Sequence, residues 1–254
     1  MKPVRLISRL DIKKPNLIKG IHLEGLRVVG DPWLYANQYY NEGIDEIIYM
    51  DAVASLYERN TILELISQTA REIFVPITVG GGIRSLSDAI AVLRAGADKI
   101  AINTAAIENP NLFETLAKEF GSQCVVASIE AKKESGGKWE ALVENGREKT
   151  GKDVLTWALE CEERGVGEIL VTSVDREGTF SGFDVELALA IKNTVSIPGI
   201  ASGGCGTLND IEDVILKGNV DGIVIAGAFH YGKIGIQEIR DYSRKNNLPL
   251  RIIR

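Results

Sequence analysis

The 254-residue chain carries a formal net charge of −6, with 45% hydrophobic and 25% charged residues. This globular balance excludes a disordered, collagen-like or coiled-coil chain, and the acidic surplus argues against nucleic acid or anionic lipid as a main partner. Two histidines exclude a histidine-rich zinc site, and three cysteines without C-x-x-C spacing suit a reducing cytoplasm. Apolar runs such as 221–229 fall far short of the ~20 residues that span a bilayer. The opening Met1-Lys2-Pro3-Val4-Arg5 leads into a strand-like run without a signal-peptide apolar core, so a cytoplasmic protein is expected.

Taken in chain order, short Val-, Ile- and Leu-rich runs alternate eight times with segments of helical periodicity. Strands are expected at 4–10, 46–50, 77–79, 99–102, 124–129, 168–173, 199–202 and 222–225. Helices are expected at 33–41, 61–73, 87–95, 111–120, 154–164, 185–194, 209–217 and 236–246. Strands this short and apolar are buried on both faces, as in a parallel sheet wrapped by helices. Eight units of about 32 residues predict a single α/β domain over 1–254, a (β/α)8 TIM barrel. No G-x-G-x-x-G follows the first strand to favour an open doubly wound sheet.

The halves resemble each other. Val75-Pro76-Ile77-Thr78-Val79-Gly80-Gly81-Gly82 aligns with Ile197-Pro198-Gly199-Ile200-Ala201-Ser202-Gly203-Gly204 at an offset of 122. Leu86, Asp88, Val92 and Gly96 meet Leu208, Asp210, Val214 and Gly218 at the same offset. Two fused half-barrels, about 1–120 and 121–254, account for this register better than the general likeness of barrel units.

Active sites of such barrels lie at the C-terminal ends of the strands. Those ends carry two glycine-rich turns, Gly80-Gly81-Gly82 and Gly203-Gly204, each followed one unit later by a small polar or glycine end, Asn103-Thr104 or Ala226-Gly227. Glycine admits a phosphate to the backbone, and helix-start N–H groups point at the anion, so a ligand phosphorylated at both ends is expected. Thr172 and Ser202 stand at neighbouring strand ends. Asp11 and Glu130 end strands one and five, which face each other in an eight-stranded barrel. Two facing carboxylates in different environments can divide general acid and base roles.

At the opposite ends sit Arg5, Glu46, Lys99 and Glu168. Strand parity turns Arg5 and Lys99 inward, and the four make a neutral ring of two salt bridges, either a structural plug or a gate for something small. The stretch 12–31 reads as a long loop with Lys13, Lys14, Lys19 and Arg27. It is either a mobile lid bringing Lys19 to an anionic substrate or a solvated basic loop. A second long segment, 131–152, reads as a hairpin through Asn145-Gly146. Cys124, Cys161 and Cys205 read as core or wall residues, and His22 and His230 as ordinary polar contacts.

The chain resembles the cyclase subunit of imidazole glycerol phosphate synthase over essentially its full length. The resemblance rests on Leu10-Asp11, Val79-Gly80-Gly81-Gly82-Ile83-Arg84, Ala95-Gly96-Ala97-Asp98-Lys99 and Ile102-Asn103-Thr104-Ala105-Ala106. Gly121-Ser122-Gln123-Cys124, Thr172-Ser173-Val174-Asp175-Arg176-Glu177-Gly178-Thr179 and Ala201-Ser202-Gly203-Gly204 continue it. It implies a TIM barrel that takes ammonia from a glutaminase subunit docked at the barrel bottom. It also implies addition of that ammonia to a bis-phosphorylated ribulosyl intermediate, with cyclisation and cleavage to imidazole glycerol phosphate and an aminoimidazole carboxamide ribotide. The resemblance gives acid–base work to Asp11 and Glu130 and substrate contact to Lys19. Phosphate binding falls to Gly82, Asn103, Thr104, Gly178, Gly204, Ala226 and Gly227, with no cofactor and no metal. Arg5, Glu46, Lys99 and Glu168 match the ammonia gate, and Asp98 and Gln123 the glutaminase interface.

Several positions depart from that family's pattern. Glu130 replaces an aspartate, displacing the carboxylate by roughly 1 Å. Ser8-Arg9-Leu10-Asp11 replaces a Pro-Cys-Leu-Asp run, and by parity Arg9 points into the site, where it lowers a carboxylate's pKa. Glu177 replaces an aspartate, and Gly227 a serine whose hydroxyl would help hold phosphate. Arg9-Leu10-Asp11-Ile12 and Ile18-Lys19-Gly20-Ile21-His22-Leu23-Glu24-Gly25-Leu26-Arg27 resemble a paralogous branch linked to acetamidino modification of amino sugars in surface polysaccharides. That branch is the expected function, with a separate sugar amidotransferase as a further partner. The alternatives are the histidine-pathway cyclase and a non-catalytic ammonia conduit that activates a glutaminase.

Overall fold

The computed structural model describes residues 2–52 and 60–252. In chain order the strands are β1 (Arg5–Lys13), β2 (Asn16–Ile21), β3 (Glu24–Gly30), β4 (Glu46–Asp51), β5 (Ile77–Gly80) and β6 (Lys99–Ile102). They continue with β7 (Val125–Lys133), β8 (Trp139–Val143), β9 (Glu148–Asp153), β10 (Glu168–Ser173), β11 (Gly199–Ser202) and β12 (Gly222–Ile225). The helices are α1 (Pro32–Asn41), α2 (Asn60–Glu72), α3 (Leu86–Arg94), α4 (Thr104–Glu108) and α5 (Asn111–Phe120). They continue with α6 (Val154–Glu163), α7 (Val185–Thr194), α8 (Leu208–Leu216), α9 (Gly227–His230) and α10 (Ile236–Lys245).

Eight strands pair in parallel in the order β10-β11-β12-β1-β4-β5-β6-β7, and β10 pairs back onto β7 to close the (β/α)8 barrel. Alternate side chains face opposite sides of each strand. Ile7, Ile48, Met50, Ala101, Val126, Leu170, Ile200 and Val224 therefore fill the barrel waist as an apolar plug. Leu6, Leu10, Ile47, Tyr49 and Ile223 turn outward into the larger core beneath the helices.

Helix starts follow local chemistry. Asp31 before Pro32 accepts hydrogen bonds from the Trp33 and Leu34 amides at 2.8 and 3.1 Å, satisfying donors that the first turn leaves unpaired. Ser85 caps α3 and Thr207 caps α8, 122 positions apart, the spacing of the sequence repeat.

The hairpin expected at 131–152 is present as β8 and β9, antiparallel to the end of β7. Its turn holds Glu144, Asn145 and Gly146 with φ of 51°, 58° and 74°. Residues 12–31, by contrast, are not a loop. β1 runs on to Lys13, β2 folds back on it with Asp11 opposite Ile18 and Ile12 opposite Leu17, and β3 pairs with β2. Leu17 and Ile18 are both buried, which removes the period-two alternation a strand reading relies on. The mobile-lid and solvated-loop readings of this segment are thereby corrected: Lys19 lies on a strand and is 3% exposed. The short helices α4 and α9 also lie outside the sequence expectation.

Glycine is required where backbones cross. At Gly204 φ is +102°, and a Cβ would stand 2.1 Å from the Gly182 carbonyl oxygen. Gly204→Ala is expected to cost about 3 kcal/mol or more in chemical denaturation, because strain and clash add. Gly136→Ala, at φ +96° but with open space around the new carbon, should lose about 1–2 kcal/mol from backbone strain alone.

Candidate active site

Along β1 the side chains of Arg5 at the bottom, Ile7 at the waist and Arg9 and Asp11 at the C-terminal mouth share the inward face, as the parity argument expects. The Arg9 Nε donates to Asp11 Oδ1 at 2.7 Å, and its Nη1 reaches across the barrel to Thr172 Oγ1 on β10 at 3.2 Å. Lys19 Nζ donates to Asp11 Oδ2 at 3.0 Å and also pairs with Glu177. All five side chains are buried. Burial by itself pushes the Asp11 carboxyl up, but the Arg9 and Lys19 charges outweigh it and hold the group well below the usual carboxylate range.

Glu130 stands on β7, opposite β1 in the ring. Its Oε2 accepts from Asn103 Nδ2 at 3.0 Å and from the Gly146 amide at 2.7 Å. Burial raises its carboxyl to about 7, against the opposing Arg9 charge and Gly146 bond and with help from the Asp11 and Glu144 charges. The two carboxylates therefore sit in opposite environments, the separation that divides acid from base chemistry.

The sign of the Glu130 shift makes a stability prediction. A carboxyl raised above its unfolded value favours the native state below about pH 4.5 and loses that contribution as pH rises through about 7. Glu130→Gln does not titrate. The denaturation free energy of the wild type is therefore expected to fall relative to this variant by roughly 2–3 kcal/mol between about pH 5 and pH 8.

Two glycine cradles flank the carboxylates. One cleft is lined by Gly81, Gly82, Asn103 and Thr104 together with Glu130. The other is lined by Glu177, Gly178, Ser202, Gly203, Gly204, Ala226 and Gly227. Asn103 and Ala226 precede the first turns of α4 and α9 with matching backbone angles, φ −124°, ψ −89° and φ −125°, ψ −83°. The first amides of a helix have no partner within it, so each cradle offers N–H donors to an anion. At Gly227 a Cβ would meet the Phe180 ring at 3.2 Å, so the aromatic ring occupies the ground a serine side chain would need.

At the other end of the barrel, Arg5, Glu46, Lys99 and Glu168 close a ring. Arg5 bonds Glu46 at 2.8 Å and pairs with Glu168, while Lys99 bonds Glu46 at 2.9 Å and Glu168 at 3.0 Å. The expectation of two salt bridges is corrected to four, since each cation spans both carboxylates. Asp98 and Gln123 are exposed at this same end, with Asp98 capping the Ile77 amide at 2.8 Å and Gln123 reaching the Phe120 carbonyl at 3.4 Å.

Sequence reasoning missed that Glu177 is the partner of Lys19 and that the Gly146 amide seats Glu130. The Asn145-Gly146 turn signal predicts a tight turn, but nothing local points that turn at residue 130. His22 bonds the Val174 carbonyl at 2.8 Å, and His230 the Tyr39 hydroxyl at 2.7 Å. Cys161 and Cys205 lie in the core.

The family model for histidine biosynthesis proteins matches residues 5–235. An imidazole glycerol phosphate synthase subunit HisF from Legionella pneumophila is 61% identical over 84% of this chain and the whole of that protein. Proteins of the same name from Lactococcus lactis subsp. cremoris (strain SK11) and from Nostoc sp. (strain PCC 7120) are 48% and 41% identical, each over 98% of this chain and 97% of the relative. These likenesses overturn the expectation of the acetamidino-sugar branch and of a separate sugar amidotransferase: relatives this similar, across nearly the full length, carry the histidine-pathway name.

Proposed function

Because the chain belongs to the histidine biosynthesis protein family, we propose that its barrel is the ammonia-using cyclase subunit of an imidazole glycerol phosphate synthase. The substrate is the bis-phosphorylated ribulosyl formimino intermediate, and the products are imidazole glycerol phosphate and the aminoimidazole carboxamide ribotide. The observation that carries the reading is a mouth with two buried carboxylates, Asp11 and Glu130, between two glycine cradles related by the sequence repeat.

In this reading Gly82, Asn103 and Thr104 hold one phosphate. Gly178, Ser202, Gly204, Ala226 and Gly227 hold the other, with the Gly227 amide taking the place of a side-chain hydroxyl. Lys19 and Thr172 line the space between, where the reacting carbons lie. Ammonia comes from a glutaminase subunit docked over Asp98 and Gln123, and the ring of Arg5, Glu46, Lys99 and Glu168 stands across its way into the barrel. A closed ring of four ion pairs opens only when one cation swings away from both carboxylates, which fits a gate tied to partner docking.

The test mixes the purified protein with the ribulosyl intermediate and ammonium at high pH, without a partner, and follows loss of substrate absorbance. Turnover yielding imidazole glycerol phosphate is expected. A folded protein that binds inorganic phosphate in both cradles but consumes no intermediate would overturn the reading.

A further inference from the structure

Among the described residues the mouth holds two buried cations and three buried acids, and the cations are distributed unevenly. Arg9 bonds Asp11 at 2.7 Å, and Lys19 is shared between Asp11 at 3.0 Å and Glu177. Glu130 receives hydrogen bonds from an amide side chain and a backbone amide. Arg9 is also held at both ends of its guanidinium, by Asp11 on its own strand and by Thr172 across the barrel. A planar fork anchored at two points keeps its charge beside one carboxylate.

We propose that Arg9 is a positioning residue that holds Asp11 as a standing anion, so that proton transfer in the mouth falls to Glu130 alone and Asp11 acts electrostatically. This rests on the cyclase reading for its substrate. When ammonia adds to a carbonyl carbon, a C–N bond forms and the C=O π pair moves to oxygen. Glu130 in its acid form gives its proton to that oxygen, and as carboxylate it takes one from the nitrogen, returning to its starting state. Asp11, still ionised, stabilises the positive nitrogen before it gives up that proton.

The charged groups around the two acids agree with this division. Glu130 faces Arg9 and Asp11 from β1 and Glu144 from the β8–β9 turn. Asp11 faces Arg9 on its own strand and Lys19 from β2, with His230 of α9 nearby. Burial pushes His230 down to about 4, so it stays neutral and leaves the two cations on Asp11 in place.

The experiment reads protonated carboxyl groups by infrared difference spectroscopy across neutral pH, and in parallel the pH profile of kcat at constant free ammonia. Wild type should show one titrating carboxyl and one kcat limb near pH 7, both lost in Glu130→Gln. Asp11→Asn should leave the infrared amplitude unchanged. Arg9→Met should add a second titrating carboxyl, absent from Arg9→Met/Asp11→Asn, and lower kcat about ten- to a hundredfold with KM unchanged. Arg9→Lys should restore the single titration.

A folded Arg9→Met protein with the wild-type titration and profile would overturn the proposal. So would an Asp11→Asn protein that loses half the infrared amplitude, a result that does not depend on Arg9→Met folding. The infrared readout needs no substrate, so absence of turnover would count against the cyclase reading and leave this assignment to be decided by the spectra.

Discussion

Glu130→Gln is expected to lower kcat by roughly 10²–10⁴ with little change in KM, measured by steady-state and single-turnover kinetics with the ribulosyl intermediate and ammonium. The size follows from the site having one carboxyl poised near neutrality. Burial raises Glu130 to about 7, where in the proposed reaction it both gives and takes protons at working pH, while Asp11 is held ionised by two cations. Gln keeps the shape and can still meet Asn103, but it cannot shuttle a proton. The glycine cradles proposed to hold the phosphates are untouched, so ground-state binding should persist. Glu130→Asp is the informative companion. It retains the carboxyl but draws it back by one methylene from the Asn103 and Gly146 donors, and a displacement of roughly 1 Å can cost about a hundredfold. A Gln variant within threefold of wild type would remove Glu130 from the chemistry.

Glu46→Ala is expected to lower stability by about 2–4 kcal/mol, or roughly 5–15 °C in the thermal midpoint for a chain of this size. The Glu46 side chain is 2% exposed and accepts from Arg5, Lys99 and Thr78. Its loss leaves Arg5 and Lys99 both leaning on Glu168 alone. These cations keep 19% and 17% side-chain exposure, so solvent relieves part of the penalty a fully buried pair would carry. Lys133→Ala breaks an exposed pair with Glu186 and should leave the midpoint where it was. Scanning calorimetry distinguishes the two cases, and equal midpoints for both variants would mean that the ring is solvated and contributes nothing to the fold.

Part of the barrel interior is legible by strand parity. Arg5, Arg9 and Asp11 alternate along β1, so counting by two was enough to turn all three inward. The repeat at offset 122 pairs the glycine turns Gly81-Gly82 and Gly203-Gly204, and the matching backbone angles at Asn103 and Ala226, 123 positions apart, continue it with a one-residue shift. The hairpin after β1 was unreadable for a definite reason. A strand is recognised by alternation, whereas Leu17, Ile18 and Lys19 are buried in succession, between strand pairing on one side and the ion pairs of the mouth on the other. The functional branch was misread because it was taken from short stretches, Arg9-Leu10-Asp11-Ile12 and 18–27, and from altered residues in the mouth, whereas relatives matched along most of the chain carry the histidine-pathway name.

What the sequence by itself determined is what periodicity and order determine: eight doubly buried strands, their closure into a barrel, the facing of Asp11 and Glu130, and the inward set at each end. Only the tertiary structure decided which charges touch. Lys19 meets Glu177 from 158 positions away, Arg9 meets Thr172 from 163, and Glu130 is seated by a turn amide from a different strand pair. Side-chain reach and burial set those pairings, and in a low-dielectric mouth a few ångströms decide whether a carboxyl is a permanent anion or a proton carrier.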